Sequence, residues 1–119
     1  MYYIQKRLEI SAAHKLELPY ESKCSNLHGH NWIVTIYCIA DELTEYGMIV
    51  DFANVKKHIQ DKLDHKYINE VLDGINPTAE NMAKWICDEV TRLCEQGICY
   101  KVDVQESEGN IATYEVTEQ

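Results

Sequence analysis

His28-Gly29-His30 puts two imidazoles one residue apart in a chain of 119 residues. In an extended stretch, positions i and i+2 share a face at roughly 6–7 Å, so both rings can converge on one cation. Gly29 leaves the position between them without a side chain. A third imidazole, His14, follows a run in which Leu8, Ile10 and Ala12 alternate with Glu9 and Ser11, and it shares the parity of the apolar set. If the two stretches pair as a hairpin, the end of one lies opposite the start of the other and His14 joins His28 and His30. Three neutral imidazoles without an evident fourth ligand describe an open zinc site, the type that acts as a Lewis acid.

Three further places could do chemistry, each with a plainer alternative. Cys24 sits in a polar loop just ahead of the histidine pair. It reads either as the fourth ligand of a closed structural site or as a thiolate base or nucleophile whose pKa a cation lowers. Asp64-His65 follows a helical stretch and reads either as a capping or surface pair or as a carboxylate that orients an imidazole for proton transfer. Glu106 falls on the parity of Tyr100, Val102 and Val104, the apolar side of its strand. A buried carboxylate there needs a cation or several donors, such as the amidine-like N–H pair of a bound heterocycle; an exposed strand end would simply leave it wet. His58, beside Lys56 and Lys57, reads as a solvated surface residue.

The elements that must position these groups are legible as an α+β pattern, β-β-α-α-β-β, an antiparallel sheet with two helices on one face. Tyr2 to Ala13 forms the first strand and Asn31 to Ala40 the second. The second strand is apolar on both faces, with Trp32, Val34, Ile36 and Cys38 on one and Ile33, Tyr37 and Ile39 on the other. The helices can cover one face; the other must meet another subunit or line a barrel, so an oligomer is expected. Asp51 caps a helix with the stripe Phe52, Val55, Ile59 and Leu63. A second helix opens at Asn76-Pro77-Thr78, with Thr78 as cap and Glu80 suited to the positive helix end. Its stripe is Met82, Ile86, Val90, Leu93 and Cys94, and it stops near Gly97. Strands at Cys99–Ser107 and Ile111–Val116 are joined by a hairpin turn at Glu108-Gly109-Asn110.

Length and composition bound the partners. The chain is expected to be a single domain over residues 1–119. Basic residues number 11 and acidic residues 20, a net charge of −9, which disfavours direct nucleic-acid binding and an anionic membrane surface. Residues Met1 to Glu9 lack the apolar core of a signal peptide, and no apolar run approaches a membrane span. Five cysteines without a Cys-x-x-Cys pair suit a reducing, cytoplasmic setting. Cys38, Cys87, Cys94 and Cys99 read as small buried hydrophobes.

Taken in order, Ser11-Ala-Ala-His14, Cys24-Ser-Asn-Leu-His28-Gly-His30-Asn, Gly47-Met-Ile-Val-Asp-Phe52, Leu63-Asp-His65, Asn76-Pro-Thr-Ala-Glu-Asn81 and Gln105-Glu106-Ser107 resemble the 6-pyruvoyl-tetrahydropterin synthase family. The short Cys-x-x-x-His-Gly-His spacing is similar to its bacterial branch, which forms 6-carboxy-5,6,7,8-tetrahydropterin. Ile10 departs from the Phe common before Ala-Ala-His, a packing change.

The resemblance implies the tunnelling fold, assembled into a homohexamer (a dimer of trimers) with active sites at subunit interfaces. It also implies Zn2+ held by His14, His28 and His30. Cys24 would then be the catalytic thiolate, with Asp64 and His65 as its acid–base partners across a subunit boundary. Glu106 would anchor a pterin ring, and Thr78 is a candidate substrate contact. The implied reaction converts 7,8-dihydroneopterin triphosphate to 6-carboxytetrahydropterin, acetaldehyde and triphosphate, on a route to 7-deazaguanine compounds and queuosine. The same substrate with an earlier stop would give a pyruvoyl product. A non-catalytic zinc module is the reading from a different class. A triphosphate in so acidic a protein calls for local cations, and Lys15, Lys23 and Lys66, each beside a motif residue, are the candidates.

Overall fold

The computed structural model describes residues 1–117. Its elements are β1 (Tyr2–His14), β2 (His28–Ala40), α1 (Phe52–Leu63), α2 (Ile68–Val71), α3 (Ala79–Leu93), β3 (Ile98–Ser107) and β4 (Asn110–Glu115), with a single 3-10 turn at Lys23–Ser25. The four strands form one antiparallel sheet in the order β1-β2-β3-β4. The expected α+β architecture is thus present, with β1, β2 and β3 slightly longer than the alternation alone marks, β4 shifted by one residue from Ile111–Val116, and α2 in addition. Among the described residues, no helix is long and apolar enough to cross a membrane.

Burial follows parity. Leu8, Ile10 and Ala12 of β1, Trp32, Val34, Ile36 and Cys38 of β2, and Val102 and Val104 of β3 are all buried under the helices. Val55, Ile59 and Leu63 of α1 and Met82, Ile86, Cys87 and Val90 of α3 meet them. Asp51 caps α1 by accepting the Ala53 N–H at 2.8 Å, and Thr78 caps α3 by accepting the Asn81 N–H at 3.1 Å. The turn that returns α3 to the sheet depends on Gly97, whose φ is +69° and whose hypothetical Cβ would lie 1.9 Å from the Ile39 carbonyl oxygen.

Three expectations need correction. Phe52 is 47 % exposed rather than part of the α1 stripe. As the first helical residue it lies among Tyr2, Tyr3 and Met48 at an apolar surface cleft. Tyr100 does not share the inward face of Val102. The register slips between Tyr37 and Cys38, so Cys99 turns inward, and the Tyr100 ring packs 6.2 Å from both Tyr3 and Tyr37 on the far side of the sheet. His58 is not simply solvated, because its Nε2 lies 3.1 Å from an oxygen of the nearly buried Glu89.

The outer edge of β1 is partly occupied by chain that is not a strand. Gln60 Nε2 donates to the Glu9 carbonyl, His65 N–H donates to the Ser11 carbonyl, and Ala13 N–H donates to the Lys66 carbonyl. His65 reaches that position in a left-handed backbone conformation, φ +58°.

Candidate functional site

The β1–β2 register sets His14 opposite His28 and Ala12 opposite His30. The hairpin expected from sequence therefore gathers the three imidazoles, with ring centroids 4.6, 5.3 and 4.8 Å apart. Trp32 forms the floor, fully buried, with its ring centroid 4.8 Å from that of His14 and 5.1 Å from that of His30. Its Nε1–H donates to the Ala12 carbonyl at 3.2 Å, which fixes the ring beneath the site.

Main-chain carbonyls set the tautomers. His14 Nδ1 lies 2.8 Å from Pro77 O, and His28 Nδ1 lies 2.7 Å from Asn26 O. A carbonyl can only accept, so each Nδ1 carries a proton and, in the neutral ring, each Nε2 offers a lone pair. Those two Nε2 atoms are 3.0 Å apart. Lone pairs at that distance repel unless a proton or a cation is shared between the rings. Burial opposes the proton. It lowers the pKa of His14, aided by His28 and His30 and resisted by the Pro77 carbonyl and Glu106, and it lowers that of His30 against the pull of Glu106. The neutral imidazole so favoured is the form that ligates metal.

Glu106 completes the group. Its Oε1 lies 3.2 Å from His14 Nε2 and 3.4 Å from His30 Nε2. His30 Nε2 is buried without a hydrogen-bond partner. One donor atom from each of His14, His28, His30 and Glu106 falls within 4.8 Å of the others. Three nitrogens and a carboxylate suit a zinc-type cation, and an orphaned buried ring nitrogen aimed at the group is the observation that a cation would resolve. Glu106 as a neighbour of the histidines was absent from the sequence expectations. Its inward parity was visible, but its approach depends on β3 pairing with β2, where Gln105 stands opposite Ile33. The orienting carbonyls of Pro77 and Asn26 carry no side-chain signal.

The other expected residues are placed as follows. Cys24 is half-buried in the 3-10 turn, which Ser22 caps by accepting the Cys24 N–H at 3.1 Å, and its thiol is not among the four clustered donors. Asp64 ends α1 and its Oδ1 accepts the Ser11 N–H at 2.8 Å. The His65 ring is 81 % exposed, and its Nε2 lies 3.6 Å from Asp64 Oδ2, too long for a hydrogen bond. Among the described residues, no hydrogen bond or ion pair joins Asp64 or His65 to the three histidines. Thr78 Oγ1 is engaged in capping. Lys15, Lys23 and Lys66 are exposed, and Lys15 shares a cleft of about 380 Å³ with Glu17, Glu70 and Asp73.

Comparison with known proteins adds four findings. The family profile described as 6-pyruvoyl tetrahydropterin synthase matches residues 3–117. A 6-carboxy-5,6,7,8-tetrahydropterin synthase of Synechocystis is 34% identical over 122 positions, covering 96% of this chain and 93% of the relative. The human 6-pyruvoyl tetrahydrobiopterin synthase is 31% identical over 131 positions, covering 93% and 89%. Among solved structures, the 6-pyruvoyl tetrahydropterin synthase of Caenorhabditis elegans superposes with a TM-score of 0.76 at 27% identity, over 98% of this chain and 96% of that one.

Proposed function

The chain belongs to the 6-pyruvoyl tetrahydropterin synthase family, and we propose that it converts 7,8-dihydroneopterin triphosphate to 6-carboxy-5,6,7,8-tetrahydropterin, acetaldehyde and triphosphate. The observation that carries this reading is the convergence of the His14, His28 and His30 Nε2 atoms, two of them the lone-pair nitrogens of the neutral rings because carbonyl contacts place the ring proton on Nδ1. These three residues would hold zinc, with Glu106 beside them. Bound there, zinc supplies Lewis acidity to the oxygens of the substrate side chain.

The chain's own residues divide the remaining work. Cys24, held near the start of β2 but outside the donor cluster, removes and returns protons as thiolate; its separation from the cluster favours this role over that of a fourth ligand in a structural site. His65, tethered through its main chain to Ser11 and exposed as a ring, is free to serve a neighbouring subunit's site as proton donor, with Asp64 behind it. Glu106 presents a carboxylate edge that can accept two parallel N–H bonds from a pterin, and Thr78 lies on the segment that also orients His14. Lys15, Lys23 and Lys66 offer unpaired cations for the triphosphate among the described residues.

The setting follows from the same reading. The protein acts as one domain over 1–119, in the cytoplasm, as a homohexamer built as a dimer of trimers with sites at subunit interfaces. Its product serves 7-deazaguanine and queuosine formation, with free pterin rather than nucleic acid as partner. The far face of the sheet, with Tyr3, Ile33, Tyr37, Ile39 and Tyr100, supports burial against another copy.

The pyruvoyl product is the second reading, favoured by the human relative. Against it, the human alignment spans more positions while covering less of this chain, 131 at 93% against 122 at 96%, so it needs more gaps. Incubation with 7,8-dihydroneopterin triphosphate and mass analysis decides. Acetaldehyde with a carboxypterin is expected; a pyruvoyl pterin selects the second reading, and no consumption sinks both.

A further inference from the structure

The loop that joins β1 to β2, residues 15–27, carries Cys24 at its far end, and a loop of that length would by itself leave a thiol loosely placed. Its first three residues continue β1 past His14, and two asparagine side chains act as their neighbouring strand. Asn69 Oδ1 accepts the Lys15 N–H at 3.0 Å while Asn69 Nδ2 donates to the Lys15 carbonyl at 2.8 Å. Asn76 repeats the pattern on Glu17, accepting its N–H at 2.9 Å and donating to its carbonyl at 3.0 Å. A primary amide has one acceptor and a donor side by side, as a peptide group does, so each asparagine satisfies both main-chain groups of one residue. Leu16, between them, turns the opposite way, and its N–H donates to the Cys24 carbonyl at 2.8 Å.

We infer that Asn69 and Asn76 are positioning residues for Cys24: their four hydrogen bonds fix Lys15 to Glu17 as a rail, and the Leu16 N–H on the rail's other side holds the Cys24 turn. The inference rests on the reading of Cys24 as the catalytic thiol. Asn76 is itself anchored, its carbonyl accepting from Asn81 Nδ2 at 2.9 Å, and the next carbonyl along, Pro77 O, orients His14. One short segment therefore places both the thiol and an imidazole. Truncating the Asn76 side chain leaves the Pro77 carbonyl and the Thr78 cap intact, so the thiol should loosen while the histidine group persists.

The test uses the full chain loaded with zinc, as wild type, Asn69→Ala, Asn76→Ala and the double variant. Each is measured for metal per chain, for the rate at which iodoacetamide alkylates Cys24 (read from the mass of its peptide), and for kcat and KM with 7,8-dihydroneopterin triphosphate. The double variant should keep its metal, alkylate several-fold faster at Cys24, and lose kcat by about 10- to 100-fold, the cost of a misplaced reacting group. The single variants should show the same pattern at smaller size, and they decide the matter if the double variant does not fold. Wild-type alkylation and kcat in a folded variant overturn the inference, as does a loss confined to metal content or KM. Retained turnover in Cys24→Ala would instead defeat the catalytic reading of Cys24, and the alkylation rate alone would then judge the clamp.

Discussion

On α3, Glu89 is nearly buried and is met by His58 Nε2 at 3.1 Å, by Lys62 Nζ at 2.9 Å and by Arg92, three basic groups from α1 and α3. At the end of β3, Glu106 also meets imidazoles, at 3.2 and 3.4 Å, yet among the described residues no lysine or arginine reaches it. Around Glu89 the chain supplies its own cations and the helices are strapped together. Around Glu106 burial favours the neutral rings, their lone pairs converge, and among the described residues His30 Nε2 has no hydrogen-bond partner. A carboxylate beside a histidine is thus no sign of function by itself. The sign is charge and hydrogen bonding left uncompensated by the chain, in a place where burial makes that costly.

Substitutions can break this contrast, and the largest effect belongs to the histidines. His28→Ala should reduce metal per chain to background and abolish turnover while the fold persists by circular dichroism; full metal occupancy would refute the cluster as a cation site. Cys24→Ala should keep its metal and lose turnover on the order of 10²- to 10⁴-fold, the range for a positioned acid–base group. Loss of metal and unfolding together would mark Cys24 as a structural ligand instead. Glu106→Gln should raise KM about 10- to 100-fold through the loss of a charge-assisted pair, with kcat less affected. A fall in metal affinity at constant KM would assign the carboxylate to the metal.

At the compensated glutamate the signature should be the reverse. Glu89→Gln should lower stability in urea by about 1–3 kcal/mol and leave metal content and turnover unchanged. The smallest effect concerns pH. Burial, then Lys62 and Arg92, lower the His58 pKa against the pull of Asp61. The unfolded chain therefore binds a proton at His58 more readily than the folded one, so stability falls as pH drops below the ordinary histidine value of about 6.5. His58→Gln should flatten that part of the stability–pH curve between pH 7.5 and 5.5, and an unchanged slope would remove His58 as a contributor.

Much of this was legible in sequence where periodicity does the positioning. His14, His28 and His30 could be placed because strand parity and one hairpin sufficed, and Asp51 and Thr78 because capping chemistry is local. Legibility ended where a long-range event decides. Tyr100 changed faces because a single extra residue in β3 reverses parity, and nothing in its neighbours marks that slip. Glu89 was invisible because two of its three partners, His58 and Lys62, lie on another helix. The roles of Pro77 and Asn26 rest on carbonyls, which every residue has. The separation of Asp64 and His65 from the histidines depends on the fold of α1 against Ser11, a contact 53 residues apart in the chain.

The partial cover on β1 has a consequence for how copies of this chain could meet. From Glu9 to Glu17 the outer edge is dressed by Gln60, His65, Lys66, Asn69 and Asn76. Tyr2 to Leu8 is the bare remainder, close in length to the 6 residues of β4 at the opposite edge. With an even number of strands the two edges run in opposite directions, so β4 of one copy laid beside β1 of another prolongs the alternation without a break. For a copy laid there the dressed half would act as a stop, permitting one register and refusing the slipped ones that lead to open-ended stacking.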